Sequence, residues 1–381
     1  MVFIFILFLI ILVQIIFSAA FFTSDNAFLI GLGIVQLTLL CVSFVVLFLS
    51  FKLQKTSNYL VGFTAFGGMI LSSVPGIGFF VFGSIYFFTK NEVFFYLGMT
   101  LSSLLFLAIL IGIIWGRWNW KIHRVNLAFD HLPAAFDGVK IVQISDIHVG
   151  SFFNNHKKVE KAIQKINQLN ADYVVFTGDL VNNTAAEMNG WVPVFSKINA
   201  RTGKYSILGN HDYGDYVKWS DDAMKKENLS QLIEIHRAIG FTPLLNQSLE
   251  LGAGFWLLGV ENWGKPPFRQ SGKLAETLAP IPNEAFKLLL SHDPSHFDEQ
   301  VIQTNIDLTL SGHTHGMQFG IERFGIKWSP VSFKYKKWAG LYQVGKQFLY
   351  VNRGFGYLGF PGRVGIYPEI TEIILTKKSV R

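Results

Sequence analysis

Hydrophobic positions along this 381-residue chain fall into two regimes. Up to residue 116 they form long, almost unbroken runs; from about Asn126 onward, short apolar runs alternate with amphipathic stretches. A bilayer core about 30 Å thick takes roughly 20 apolar residues at 1.5 Å rise each. Four runs reach or approach that length, at 2–22, 28–51, 65–88 and 94–116, and predict an N-terminal transmembrane bundle of about four helices over 1–116. The third is Gly-rich and contains Pro75, which is expected to kink it. The first holds SAA at 18–20, faintly like a signal-peptide cleavage site, but has no basic segment ahead of it, so it is read as a retained helix.

The second regime predicts an α/β layered domain over 125–381, after an interfacial linker at 117–124. The runs VKIVQIS, ADYVVFT, KYSILG, FKLLLS and IDLTLS have the length of buried strands, and KKVEKAIQKINQLN (157–170) has helical periodicity. Each run ends in the same kind of residue. Asp146 and His148 follow the first, Asp179 the second, Asn210, His211 and Asp212 the third, His292 and Asp293 the fourth, and His313 and His315 the fifth. Ligands in such sheets bind beyond the carboxyl ends of the strands, so these side chains are expected to converge. Carboxylates, imidazoles and one amide make a mixed oxygen and nitrogen donor set, suited to Mn, Fe, Zn, Co or Mg and lacking the softness of thiolates. Asp179, alone at its strand end beside Gly178, is the candidate to bridge two cations. His313 and His315, two apart on a segment read as extended, would face one side. A single Gly-Asp after a strand is usually only a turn; agreement at five strand ends is what points to a metal centre.

Charge sharpens the membrane part. The only charged residues up to Gly116 are Asp25, Lys52, Lys55, Lys90 and Glu92. Lys52 and Lys55 follow the second run, and Arg117, Lys121 and Arg124 follow the fourth. The excess of basic residues at these ends predicts a multi-pass protein of the inner (cytoplasmic) membrane with its soluble domain on the cytoplasmic side. Trp115, Trp118 and Trp120 read as an interfacial belt. No acid or base lies within the four runs, so an anchor is expected rather than an ion pathway. The net charge of +7 is spread along the chain, which predicts contact with membrane lipids and no nucleic acid. Cys41 is the single cysteine, excluding an intrachain disulfide and a thiolate cluster.

The blocks SDIHVG, TGDLV, LGNHDY, LSHDP and SGHTHGMQ, in that order, resemble those of the calcineurin-like metallophosphoesterase superfamily, and the likeness covers residues 125–377. It is strongest to a bacterial membrane-anchored branch with SGHTHGGQ and a late NRGxG; here these are SGHTHGMQ and NRGFG (352–356), with Met317 in place of a glycine. The resemblance implies a calcineurin-like four-layer αββα sandwich and two divalent metal ions. By position, one ion would be held by Asp146, His148, Asp179 and His315, the other by Asp179, Asn210, His292 and His313. His211 would meet the phosphate or protonate the leaving oxygen, with Asp212 orienting its ring. The implied activity is hydrolysis of a phosphodiester or pyrophosphate bond by a metal-activated water.

The substrate is left to the variable segments. ERFGIKWSPVSFKYKKWAGLY (322–342) interleaves Arg323, Lys327, Lys334, Lys336 and Lys337 with Phe324, Trp328, Phe333, Tyr335 and Trp338. It reads either as an ordinary loop with solvated lysines or as a basic, aromatic flap leaning on anionic headgroups, which would favour a lipid-linked substrate. Arg353, Lys336 and Lys337 are candidate substrate-binding residues. GKPPFR (264–269) reads as structural before it reads as part of the rim. Three functions stay open: a membrane-anchored phosphoesterase on a lipid-linked phosphate, a tethered enzyme on soluble phosphoesters or cyclic nucleotides, and a metal-binding signalling module without turnover.

Overall fold

The computed structural model describes residues 27–52 and 59–378. The run at 2–22, with Asp25 and Lys55, lies outside the described residues. The chain divides into two units, Met1–Arg117 with Gly359–Val364, and Trp118–Leu358 with Gly365–Arg381.

The first unit is helical. Its described helices are Ala27–Lys52, Tyr59–Thr89 and Glu92–Ile114, and the middle one continues through Pro75. Glu92–Ile114 starts where Asn91 accepts the Val93 N–H at 3.0 Å, supplying a partner for one of the donors that a first turn leaves open. Among the described residues, two helices are long and apolar enough to cross a membrane, Tyr59–Tyr86 and Glu92–Trp118. Two of the four expected spans are thus found among the described residues, and the run at 2–22 lies outside them. Residues 359–364, expected in the soluble domain, cluster with these helices instead. The Arg363 N–H donates to the Gly112 carbonyl at 3.1 Å, and Arg117 Nη1 donates to the Pro361 carbonyl at 3.1 Å.

The second unit holds two six-stranded sheets. One runs β1 (Lys121–Phe129), β14 (Glu369–Lys377), β2 (Lys140–Ile144), β3 (Tyr173–Thr177), β4 (Gly203–Ile207) and β5 (Thr242–Pro243). The other runs β12 (Gly340–Val344), β13 (Gln347–Val351), β9 (Leu308–Ser311), β8 (Phe286–Leu290), β7 (Phe255–Gly259) and β6 (Gln247–Gly252). Alternate residues of the two sheets meet in one core, Leu127, Ile141, Val175 and Ile207 from the first against Phe255, Leu257, Phe286, Leu288 and Leu310 from the second. The other faces are apolar too, because helices cover them. Phe176 of β3 stacks on His236 of helix Asp222–Ala238. Leu258, Leu289 and Leu349 pack with Leu274 and Phe297 of the short helices Leu274–Leu278 and Ser295–Glu299. Helix, sheet, sheet and helix bear out the α/β layered domain expected from the alternating pattern and make the four-layer sandwich that the resemblance implied.

The segment expected as a linker at 117–124 is largely structure. β1 starts at Lys121 and pairs in parallel with β14 along its whole length. The expected belt is also corrected at two of its three members: Trp120 is buried and donates from Nε1 to the Phe355 carbonyl at 2.9 Å, and Trp118 packs against Phe152 with Lys158 Nζ 4.5 Å above its ring.

Candidate metal centre

The candidate ligands follow β2, β3 and β4 in one sheet and β8 and β9 in the other, strands adjacent within each sheet. Gln143 of β2 joins the two sheets beneath the site, donating from Nε2 to Thr177 Oγ1 at 3.0 Å and to the Ser311 carbonyl at 2.8 Å.

Five of the seven candidate ligands have a left-handed backbone: Asp146 (φ 53°), His148 (47°), Asp179 (61°), His313 (72°) and His315 (52°). Such residues cost about 1 kcal/mol or more each, and they persist where the surroundings over-determine a functional geometry. The expected extended segment at His313 and His315 is thus a tight turn, and the turn rather than strand alternation aims the two rings. The motif glycines have a steric reason. A Cβ at Gly312 would lie 1.9 Å from Ser145 Oγ and 2.3 Å from Asp146 Oδ2, and one at Gly209 would lie 2.2 Å from Asp179 Oδ1.

Two donor groups result. Asp146, His148 and His315 each bring a ligand atom within 4.8 Å of the others, and so do Asp179, His292 and His313. In the first, His148 Nε2 and His315 Nε2 are 3.1 Å apart and His315 Nε2 is 3.4 Å from Asp146 Oδ1. In the second, His313 Nδ1 is 3.3 Å from His292 Nε2 and 2.8 Å from Asn210 Oδ1. Asp179 Oδ2 stands between the groups, 3.5 Å from His148 Nε2 and 3.2 Å from His292 Nε2. That is the place of a bridging carboxylate. His292 Nδ1 donates to the Thr177 carbonyl at 2.7 Å, which aims Nε2 at the cluster.

Burial pushes the Asp146 carboxyl up to about 7 and the His148 and His313 imidazoles down to about 3 and about 4. Burial also drives Asp179 upward, but His292 and His211 outweigh it and hold the carboxylate well below its ordinary range. In return Asp179 raises His292 to about 10 against the effect of burial, so metal uptake there is coupled to proton release. Buried carboxylates and imidazoles set a few ångströms apart, all oxygen or nitrogen donors, fit divalent cations of the hard to borderline kind.

His211 stands beside both groups. Its Nδ1 donates to the Asn182 carbonyl at 2.7 Å, and its ring packs on Tyr216 with centroids 4.6 Å apart. The expectation that Asp212 orients this ring is corrected. Asp212 is fully buried and accepts backbone N–H groups from Asp179 (2.9 Å), Leu180 (2.8 Å), Val181 (3.3 Å) and Gly209 (2.8 Å), tying the β3 loop to the β4 loop. Arg353 is corrected as a substrate-binding residue, since it is buried with its guanidinium on Glu322 (2.6 and 2.7 Å) and Glu369 (2.5 Å). Lys337 is engaged by Asp298 at 2.6 Å, and Lys336 is exposed.

Sequence reasoning missed Asn182 and Tyr216. It named Asp293 beside His292 at the fourth strand end and Tyr335 in the aromatic segment, but nothing local tied either to His313. Asn210 Nδ2 donates to the Tyr216 hydroxyl at 2.8 Å, and a cleft of about 490 Å³ opens there, lined by Asn210, Asp215, Tyr216, Pro267, Phe268 and Arg269. GKPPFR is therefore part of the rim.

The calcineurin-like phosphoesterase family model matches residues 139–317. Over 259 residues the chain is 35% identical to an uncharacterized metallophosphoesterase, YkuE, of Bacillus subtilis (strain 168), covering 65% of this chain and 82% of that one. It is 29% identical over 266 residues to a transmembrane protein with metallophosphoesterase domain of Danio rerio, covering 67% of this chain and 57% of that one, so it spans little more than half of that relative. With the UDP-2,3-diacylglucosamine pyrophosphatase LpxG of Chlamydia trachomatis it shares 26% identity over 246 residues, 54% of this chain and 70% of that one. The donor groups at the sheet ends, the family model across them and the extent of the Bacillus likeness lead to one conclusion: this chain belongs to the calcineurin-like metallophosphoesterases.

Proposed function

We propose that the chain is a membrane-anchored dimetal phosphoesterase that hydrolyses a phosphodiester or pyrophosphate bond of a lipid-linked substrate. The observation that carries the reading is the pair of donor groups with Asp179 Oδ2 between them. A lipid-linked substrate is favoured by the likeness to a protein named as a pyrophosphatase of a diacylated sugar nucleotide, and the anchor by the two apolar helices and by relatives named as transmembrane proteins.

Two divalent ions, one on Asp146, His148, Asp179 and His315 and the other on Asp179, Asn210, His292 and His313, would supply the Lewis acidity that lowers the pKa of a water and neutralises phosphoryl oxygens. The remaining steps belong to the chain. His211, with Nδ1 committed to Asn182, presents Nε2 to the leaving oxygen and delivers a proton there, a contribution of about 100-fold or more. Tyr216 packs on that ring and is itself held through its hydroxyl by Asn210, and the adjoining cleft receives the leaving group. The basic residues at 52 and 117–124 favour a catalytic domain on the cytoplasmic side.

Purified chain in detergent, supplied with Mn²⁺ and a chromogenic phosphodiester, is expected to turn over. His211→Ala should lower kcat about 100-fold with metal content intact, and Asp179→Asn should lose activity and metal together. No turnover with any divalent metal sinks the reading. Equal efficiency on lipid-linked and soluble diphosphates removes its lipid part, and a reporter fused after Arg381 that is active only outside the cytoplasm overturns the sidedness.

A further inference from the structure

The strands β10 (Ile321–Arg323) and β11 (Ile326–Trp328) form an antiparallel hairpin whose pairing is Ile321 with Trp328, Glu322 with Lys327 and Arg323 with Ile326. Alternation puts Glu322 and Lys327 on one face and Ile321, Arg323, Ile326 and Trp328 on the other. The first face holds the hairpin down: Glu322 binds Arg353, and Lys327 Nζ donates to the Ala339 carbonyl at 2.5 Å. The second, mostly apolar, is exposed. This is the reverse of an ordinary surface hairpin, which turns its apolar side inward.

The tip is more extreme. Phe324 is 96% exposed and held at φ 55°, followed by Gly325 at φ 77°, in a turn where Asn or Gly would be unstrained. Phe333, on the next turn (Pro330–Phe333), is 86% exposed. Among the described residues of the second unit, Met317, Ile321, Phe324, Ile326, Trp328 and Phe333 are six of the eleven exposed large apolar side chains, within 17 residues. Such a concentration marks a surface that something covers. Its charge says what: Glu322 is the sole acid between 317 and 337 and it faces inward, whereas Arg323, Lys334 and Lys336 are exposed.

We propose that the hairpin 321–328 and the turn 330–333 dock on an anionic phospholipid surface, seating Phe324, Trp328 and Phe333 at the level of the headgroups. Large apolar side chains beside exposed basic ones fit that surface and fit poorly to neutral or basic partners. The inference rests on the membrane-anchored reading above and adds the side of the site from which a lipid substrate comes. Lys334 and Tyr335 join the docking segment to the metal centre. Lys334 Nζ lies 4.6 Å over the ring of Phe268, which lines the cleft, and the Tyr335 hydroxyl is 2.9 Å from His313 Nε2.

Cys41 is the single cysteine, so full-length Phe324→Cys in a Cys41→Ser background can carry one environment-sensitive fluorophore. In phosphatidylglycerol-containing vesicles the label is expected to shift to the blue and to be quenched by nitroxide-labelled phospholipid. Lys346→Cys, on the exposed β12–β13 turn, should do neither. Phe324→Asp with Phe333→Asp should lower kcat/KM on a vesicle-borne substrate about tenfold and leave a soluble diester unaffected. A label that stays in water in anionic and neutral vesicles alike overturns the proposal. So does a shift that follows protein concentration in detergent, which assigns the patch to a second copy of the chain. Vesicle flotation separates the two readings: a chain that does not float loses the anchor and the docking together. A chain that floats and docks yet hydrolyses nothing loses only the catalytic reading.

Discussion

The Tyr335 hydroxyl lies 2.9 Å from Nε2 of His313 and 3.2 Å from Oδ2 of Asp293. Burial raises the Tyr335 pKa, so the hydroxyl keeps its proton and donates it to Asp293. With Nδ1 facing the donor group, a metal bound there would leave His313 Nε2–H to donate to this hydroxyl. A segment outside the five motif blocks thereby stands behind a candidate ligand.

Removing that hydroxyl should loosen the metal without unfolding the chain. Tyr335→Phe is expected to weaken metal retention roughly tenfold in competition with a chelator, the order of effect seen when a partner behind a metal-bound histidine is lost. The thermal midpoint of the metal-free protein should stay close to that of the wild type. Unchanged metal affinity would reduce Tyr335 to a packing residue.

Asp212 makes the opposite prediction. An amide in its place would set N–H against N–H at one of its two oxygens, each of which takes two backbone donors. Asp212→Asn should cost about 3 kcal/mol of stability and lower metal content, because the loop carrying Asp179 loses its anchor. If instead stability and metal content hold while the pH profile of kcat moves, Asp212 acts on the His211 ring after all.

Arg353 should behave as a structural ion. Glu369 is fully buried, and despite that burial Arg353 holds its pKa down at about 2. Arg353→Ala strands that charge and should cost about 3–5 kcal/mol by thermal unfolding, with KM for a soluble diester little changed in whatever fraction folds. Arg353→Lys keeps the charge without the fork and should fall between. A large rise in KM at unchanged stability would restore the substrate-binding role.

Acid stability should depend on His236, buried against Phe176 with Nδ1 2.8 Å from Ser206 Oγ. Burial lowers its pKa to about 3. Between the unfolded value of ~6.5 and that folded value, the unfolded chain binds a proton that the folded one refuses. The contribution is complete above ~6.5 and is lost as pH falls toward 3, at up to ~1.4 kcal/mol per pH unit. His236→Asn should flatten the stability curve by about one proton over that window. An identical slope in the variant would contradict the assignment.

Much of the site was legible because its signal is local. A buried strand needs an apolar run, and a polar side chain just past its end has no packing reason to be there, so Asp146, His148, Asp179, Asn210, His292, His313 and His315 stood out along the chain. The layered α/β domain followed from the same pattern, since apolar runs of strand length alternate with an amphipathic helix; its two-sheet form came only with the resemblance of the motif blocks. Less was legible where identity underdetermines partner. Asp212 looks like a companion of His211 because it is the next residue, yet a turn places its carboxylate on backbone donors around 30 residues away in sequence. Arg353 looks like an anion site until Glu322 and Glu369 close around it.

The sequence by itself determined the strands, the membrane-length runs, the donor set and, through the order of its motif blocks, the family. Only the tertiary structure decided which nitrogen of each histidine faces the cluster, that Tyr335 and Asn182 hold two of those rings, and that a hairpin anchored through Glu322 and Lys327 turns its apolar face outward. The physical reason is range: periodicity and composition act over a few residues, whereas hydrogen-bond partners and burial are fixed by contacts between segments that folding alone brings together.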